Sequence, residues 1–267
     1  MTSSTASHSS SPSATLAAPE AGLSFIDFLE ARLASSPPPT KGQRTRERLK
    51  IAAAKVLEQK GYHALRVTDV TEAAGVAEGS FYVYFRDKTD ATMAVLTSLL
   101  EDFFSVNLTS DADAGPFDTI RRTNRRWLAI CRSNSGLLRC ILQVGDEDPT
   151  FAKMTQNTNQ SWYERIAASV LRRYPQGALS EGAVMLVAYL LGSMMDDLAR
   201  KLIIYPDEGL LSLLAELGAD DMAAADAASA LWMRVLYPGV VIDKELPPAA
   251  RAIANWPSGV TAAGDKG

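Results

Sequence analysis

Apolar residues recur along most of this chain with the spacing of helices buried on one face. Leu49, Ala52, Ala53, Val56 and Leu57 follow an i, i+3, i+4, i+7, i+8 stripe, and Gly61 after Lys60 marks a stop. Val67, Val70, Thr71 and Ala74 make a second, shorter stripe that Gly75 breaks. A third helix begins near Ala77 or Glu78, and Asp87 caps a fourth whose stripe is Val95, Leu96, Leu99, Leu100 and Phe103. Further helices are predicted near 117–133, 135–145, 148–174, 180–204, 220–237 and 247–255. Strand alternation is missing throughout, so the fold class is all-α.

The flanks read differently. Residues 1–40 form a Ser/Ala/Thr/Pro-rich extension that is mostly disordered. Within it, 23–34 carries an amphipathic pattern (Phe25, Ile26, Phe28, Leu29, Leu33) that either docks on the body or orders only with a partner. Residues 41–90 form one compact unit, 91–257 a larger helical domain with "SDADAGP" as an internal boundary, and 258–267 a flexible tail.

The break at Gly75 gives the first unit its character. Two short helices joined by a glycine-containing turn make a helix-turn-helix, because the turn needs a positive φ that glycine adopts cheaply. The next helix crowds Phe81, Tyr82, Tyr84 and Phe85 into five positions. Phe81 and Phe85, at i and i+4, point inward together; Ser80, Tyr82, Val83 and Tyr84 are left facing out. Hydroxyls there suit phosphate oxygens and Val83 suits thymine methyls, while Lys88 adds charge at the start of the following helix.

Charge supports this division. The chain carries −4 overall, yet residues 41–90 hold ten basic and seven acidic side chains, a local +3 that leaves −7 elsewhere. The excess is densest in "KGQRTRERLK", where Arg44, Arg46 and Arg48 form a basic arm that either stays solvated or reaches phosphate. Catalysis is excluded by pattern: there is no Ser/His/Asp set, no metal-ligand spacing and no phosphate-cradling glycine loop, so neither metal nor cofactor is expected. Cys131 and Cys140 read as small buried thiols of a reduced, cytoplasmic protein. The apolar run Ala183–Leu191 is too short to span a bilayer.

The stretch "KIAAAKVLEQKGYHALRVTDVTEAAGVAEGSFYVYFRDKTDATMAVL" resembles the N-terminal DNA-binding domain of TetR-family transcriptional regulators. The resemblance covers about 50 residues through its "AAGV" turn, "GSFYVYF" recognition helix and "DK"; the remainder is similar in layout only. It implies that Gly79, Ser80, Tyr82, Val83 and Tyr84 lie in or beside the major groove of double-stranded DNA. Tyr82, Tyr84 and Lys88 would hold phosphates, and Thr68 would touch backbone or an edge base. Two positions depart from the pattern: Arg66 and Ala77 stand where the family often has capping hydroxyls. Arg66 could replace a hydroxyl contact with a phosphate ion pair, and Glu78 could accept from cytosine N4.

In the larger half, "AVMLVAYLLGSMMDDLARKL" is apolar on two sides and must be covered twice. Together with the helix near 220–237 it is expected to form a homodimer interface containing Met185, Tyr189, Gly192, Ser193, Ala227, Leu231, Trp232 and Val235. The family resemblance implies the same arrangement, which would present two heads to a palindromic operator. A mostly apolar small-molecule effector would occupy a pocket among Trp127, Cys131, Leu138, Ile141, Met154, Trp162 and Tyr189, and a helix near 88–105 would carry its effect to the heads. Asp196 and Asp197 precede Arg200 and Lys201 by four residues, so surface ion pairs are preferred there over a carboxylate held for a cationic ligand. The expected function is a ligand-responsive repressor. The alternative is a dimeric binding protein whose head does not read DNA.

Overall fold

The computed structural model describes residues 23–107 and 115–257. The readings made for 1–22, most of the 110–116 boundary and the tail 258–267 lie outside the described residues. Within them every regular element is helical.

Helix α1 (Phe25–Ser35) packs on the body, with Leu23, Phe25 and Leu29 fully buried. Phe25 and Phe28 meet Phe103 edge-on at 5.7 and 5.5 Å. Asn134 ties down the chain entering α1: its side chain accepts from Phe25 N–H at 2.7 Å and donates to the Leu23 carbonyl at 2.8 Å. Of the two fates open to this segment in the sequence, docking is the one realised.

Helix α2 (Lys41–Lys60) starts in a reciprocal capping box between Thr40 and Gln43 and ends at Gly61, whose φ is 80°. Helix α3 (Val67–Ala74) ends at Gly75 in the left-handed region, φ 65° and ψ 42°. Helix α4 is shorter than the sequence suggests: Glu78–Phe81 is helical, and Tyr82–Tyr84 continue as turns. Its N-cap is Ala77, which makes no side-chain cap, and Tyr and Val propagate a helix poorly. Packing holds the segment instead: Phe81 and Phe85 are buried with ring centroids 5.5 Å apart.

Helix α5 (Lys88–Ser98) is capped by Asp87, whose carboxylate accepts from Asp90 N–H. It runs through a π-helical turn, Leu99–Phe103, into α6 (Phe104–Asn107), so one continuous rod leaves the head and enters the body. The body contains α7 (Pro116–Ser133), α8 (Ser135–Glu147), α9 (Pro149–Leu171), α10 (Glu181–Ala199), α11 (Glu208–Glu216), α12 (Asp221–Leu236) and α13 (Pro248–Ala254). Helix α11 is not among those expected from the sequence; it has no fully buried residue, but Leu210 and Leu214 pack partly buried against the core. Helices α7 and α12 are locked by Asp226, which has no solvent contact and receives two bonds each from Arg121 and Arg125. Burial acts to raise that carboxyl's pKa, but the paired guanidiniums outweigh it and hold it below the usual range.

With the π-helical turn that follows it (Arg200–Ile204), α10 makes a segment, Glu181–Ile204, long and apolar enough to cross a membrane by length and composition. The shorter apolar run considered in the sequence understates it. Here one face of the helix packs on α9, and Glu181, Asp196, Asp197, Arg200 and Lys201 all lie along it.

Candidate nucleic-acid interface and effector cavity

Beyond Gly75 the side chains divide as the aromatic spacing suggests, with one exception. Tyr82 is 56% and Val83 74% exposed, and Glu78, Gly79 and Thr68 are also exposed; Ser80 is half-buried. Tyr84 departs from the expectation. It is half-buried with its ring beside Gly42 at the first turn of α2, so it faces the neighbouring helix as much as solvent.

Of the ten basic side chains in the head, three are drawn into internal ion pairs: Lys50 with Glu47 (2.8 Å), Lys55 with Glu30 (2.6 Å) and Lys60 with Asp69 (2.8 Å). Arg86 lies 3.6 Å from Asp90. Arg44, Arg46, Arg48 and Lys88 form no ion pair with a carboxylate among the described residues, and Arg66 acts on Asp69 only through its field. Several are nonetheless positioned. Arg44 donates to the Pro38 and Pro39 carbonyls, Arg48 to the Ala74 carbonyl at the end of α3, and Arg46 lies 4.9 Å over the Phe85 ring. Lys88 reaches the His63 carbonyl at 3.5 Å and stands 5.8 Å from the Tyr62 ring centroid. Neither carbonyls nor aromatic faces neutralise a cation, so these contacts aim the charges without cancelling them.

In the body, a cavity of about 320 Å³ opens between α6, α7, α9, α10 and α12. Its walls include Leu100 and Phe104 from the α5–α6 rod, Trp127 from α7, Trp162 and Tyr163 from α9, and Asp196 from α10. A second cavity of about 350 Å³ shares Leu100, Phe104, Trp127 and Asp196, and extends to Cys131, Leu138 and Ile141. Of the pocket residues expected from sequence, five thus line these two spaces. Tyr189 lies elsewhere, in an outer groove with its ring 4.4 Å from that of Tyr163. Met154 packs against the core and takes a hydrogen bond from Thr97.

Asp196 is the group that sequence spacing misassigns. Asp197 alone takes the basic neighbours, Arg200 at 3.0 Å and Lys201 at 3.1 Å. One residue earlier and about 100° around the helix, Asp196 points into the cavities, where the Tyr163 hydroxyl donates to it at 3.4 Å. No Lys or Arg among the described residues forms an ion pair with it. The Asp196 side chain is exposed where it opens onto the cavities, yet desolvation by the protein packed around it pushes its pKa up to about 6, against the opposing pull of the Tyr163 bond. The same burial, with the Asp196 charge, raises Tyr163 to about 12 and Cys131 well above an ordinary thiol. Cys140, also buried, rises to about 11, so both thiols stay protonated.

Residues 51–90 match the family described as bacterial regulatory proteins, tetR family. The matched segment covers the helix-turn-helix of the head. An HTH-type transcriptional regulator of Bacillus subtilis, YdgC, is 36% identical over 66 residues, which is 25% of this chain and 32% of that protein. The chain thus spans about a third of that relative's length, and the likeness is confined to the head. EthR of Mycolicibacterium smegmatis, another HTH-type regulator, is 22% identical across 69% of this chain and 82% of its own. Among solved structures, a transcriptional regulator from Rhodococcus superimposes with a TM-score of 0.57 at 17% identity, covering 71% of this chain and 96% of that one. A TetR-family regulator from Streptomyces coelicolor gives 0.54 at 16%, covering 79% and 88%. These two likenesses show a shared fold that extends through the body. The matched family and these relatives are described as regulators.

On the face expected to pair two copies, the residues divide. Tyr189, Ser193, Leu231 and Val235 are exposed, and Leu186 and Leu190, also apolar, stand out beside them. Met185 and Ala227 are half-buried against their own core. Gly192 and Trp232 turn inward, a correction to the sequence reading. A Cβ on Gly192 would lie 2.1 Å from the Tyr163 ring, so the glycine lets α9 approach α10 within one protomer. Trp232 is buried and lines the 320 Å³ cavity.

Proposed function

We propose that this chain is a homodimeric, sequence-specific transcriptional regulator, a repressor released from a palindromic operator by a small, mostly apolar effector. The observation that carries the reading is the division of side chains after Gly75: Phe81 and Phe85 are sealed in the head while Tyr82, Val83 and Glu78 stand outward beside cations without carboxylate partners. Tyr82 and Lys88 hold phosphates, and Arg44, Arg46 and Arg66 supply further backbone contacts. Thr68, Gly79, Ser80 and Val83 meet the groove, and Tyr84 contributes its edge from beside α2. Such a constellation positions through phosphates and specifies through base edges.

Dimerisation follows from the outer faces of α10 and α12, where Leu186, Leu190, Leu231 and Val235 are exposed. A two-fold pair places its heads on half-sites about 34 Å apart along one face of the duplex. Effector control uses the rod α5–α6, which begins at Lys88 in the head and carries Leu100 and Phe104 into the cavity wall. A ligand that displaces Leu100 and Phe104 tilts this rod and shifts the heads from operator spacing. A regulator of this kind works in the cytoplasm, where its DNA lies.

The test is fluorescence anisotropy of the purified chain with duplexes from upstream of its own coding sequence, at two salt concentrations. A regulator binds one palindrome at least a hundredfold more tightly than scrambled DNA, with affinity falling as salt rises. Equal binding to both, or none, favours a dimeric binding protein that does not read DNA.

A further inference from the structure

The wall of the 320 Å³ cavity joins an acid lacking a basic partner to a cluster of aromatic rings. We propose that the effector is a hydrophobic organic cation, its positive head held by Asp196 beside the Tyr163 and Trp162 rings and its apolar body lying along Phe104 and Trp127. This names the ligand class of the effector site and rests on the reading of that cavity as the effector's.

Charge is the first argument. A carboxylate that faces a cavity is commonly paired with a neighbouring Lys or Arg. Here both candidates in the turn after α10, Arg200 and Lys201, serve Asp197 instead. The basic residue in the wall, Arg165, lies 5.1 Å over the outer Trp162 ring, is exposed, and makes no ion pair with Asp196. Glu101 adds a second acid to the lining. The site therefore has an excess of negative charge that a ligand can neutralise, and it disfavours an anionic acyl chain.

The rings supply the second argument. Tyr163 contacts Asp196 directly, Trp162 lines the same space, and Phe104 and Trp127 meet edge to face with centroids 5.7 Å apart. Aromatic faces attract cations when water is excluded, and favour weakly hydrated alkylammonium groups over small inorganic ions. A volume of about 320 Å³ is that of a drug-sized site, far more than a metal ion requires.

Isothermal titration of the full-length chain, without DNA, with octyltrimethylammonium, octanol and octanoate tests the assignment. The cation is expected to bind at least tenfold more tightly than octanol, and octanoate not at all. Asp196→Asn, nearly isosteric, should erase the cation's advantage while leaving octanol unchanged, and Trp162→Leu should weaken the cation preferentially. Equal affinities for all three, no binding of any, or an unchanged cation affinity in Asp196→Asn overturns the proposal. Because the titration needs no operator, it reads the cavity whether or not the chain binds DNA. A cation that binds the cavity but leaves a DNA complex intact supports the ligand class and refutes release.

Discussion

The Glu58 carboxylate, near the end of α2, caps α8: its two oxygens accept the backbone N–H groups of Gly136 and Leu137 at 3.0 and 2.8 Å. Asn134, the residue placed to cap α8, is occupied with α1, so a side chain from the head fills the role. Head and body therefore share a helix terminus. A hypothetical Cβ on Gly136 would lie 2.0 Å from the Glu58 carbonyl oxygen. Alanine normally favours a helix over glycine by about 1 kcal/mol, but this collision is with backbone and wins. Gly136→Ala is expected to destabilise the chain by about 1–3 kcal/mol in urea denaturation; a gain would show that the two elements separate freely.

Asp196 predicts a pH-dependent stability. Its folded pKa, near 6, lies above the unfolded value of 3.8. Between those values the folded chain binds more protons, so this residue's contribution worsens as pH rises through the window and is fully unfavourable above it. Asp196→Asn should raise the melting temperature at pH 8 and leave it nearly unchanged at pH 4. An equal effect at both would mean that the carboxylate is not desolvated.

The recognition segment is held by packing without caps, so a cap should be additive. Ala77 has the extended backbone of an N-cap, φ −68° and ψ 147°, but no side-chain oxygen. Ala77→Ser is expected to stabilise the head by about 0.5–2 kcal/mol, measured by thermal unfolding. A loss would place Ala77 in a contact that a hydroxyl disrupts.

Helix α1 acts as a clip over the junction of head and body. Arg32 bridges Asp102 (2.7 Å) and Glu47 (3.7 Å), and Phe25 is fully buried. Phe25→Ala should cost about 3–5 kcal/mol and lower the unfolding midpoint; an effect below 1 kcal/mol would mean that α1 is dispensable to the fold.

The head was largely legible in the sequence because its signals are local. Gly75 carries its own φ requirement, and Phe81 and Phe85 need only helical spacing to meet. Most of the body's helices, α11 aside, were legible for the same reason. What escaped depends on partners distant in sequence. Asp196 and Asp197 are indistinguishable by spacing to Arg200 and Lys201, and only the placement of α9 separates them. Gly192 offered a small surface, but nothing nearby shows that Tyr163 takes it. The π-helical turn at Leu99–Phe103 leaves no periodic mark. Tyr84 was read as outward because aromatic crowding reveals that some rings must be exposed, not which one finds Gly42.

The central claim is that the outward side chains after Gly75 hold DNA, and anisotropy of Tyr82→Phe/Lys88→Ala on the operator duplex tests it most directly. Losing a phosphate-bound hydroxyl and a cation should weaken operator binding by about 10- to 100-fold and flatten the salt dependence by about one counterion, with sedimentation showing the same assembly state. Operator affinity and salt slope equal to those of the unmodified chain would contradict the account.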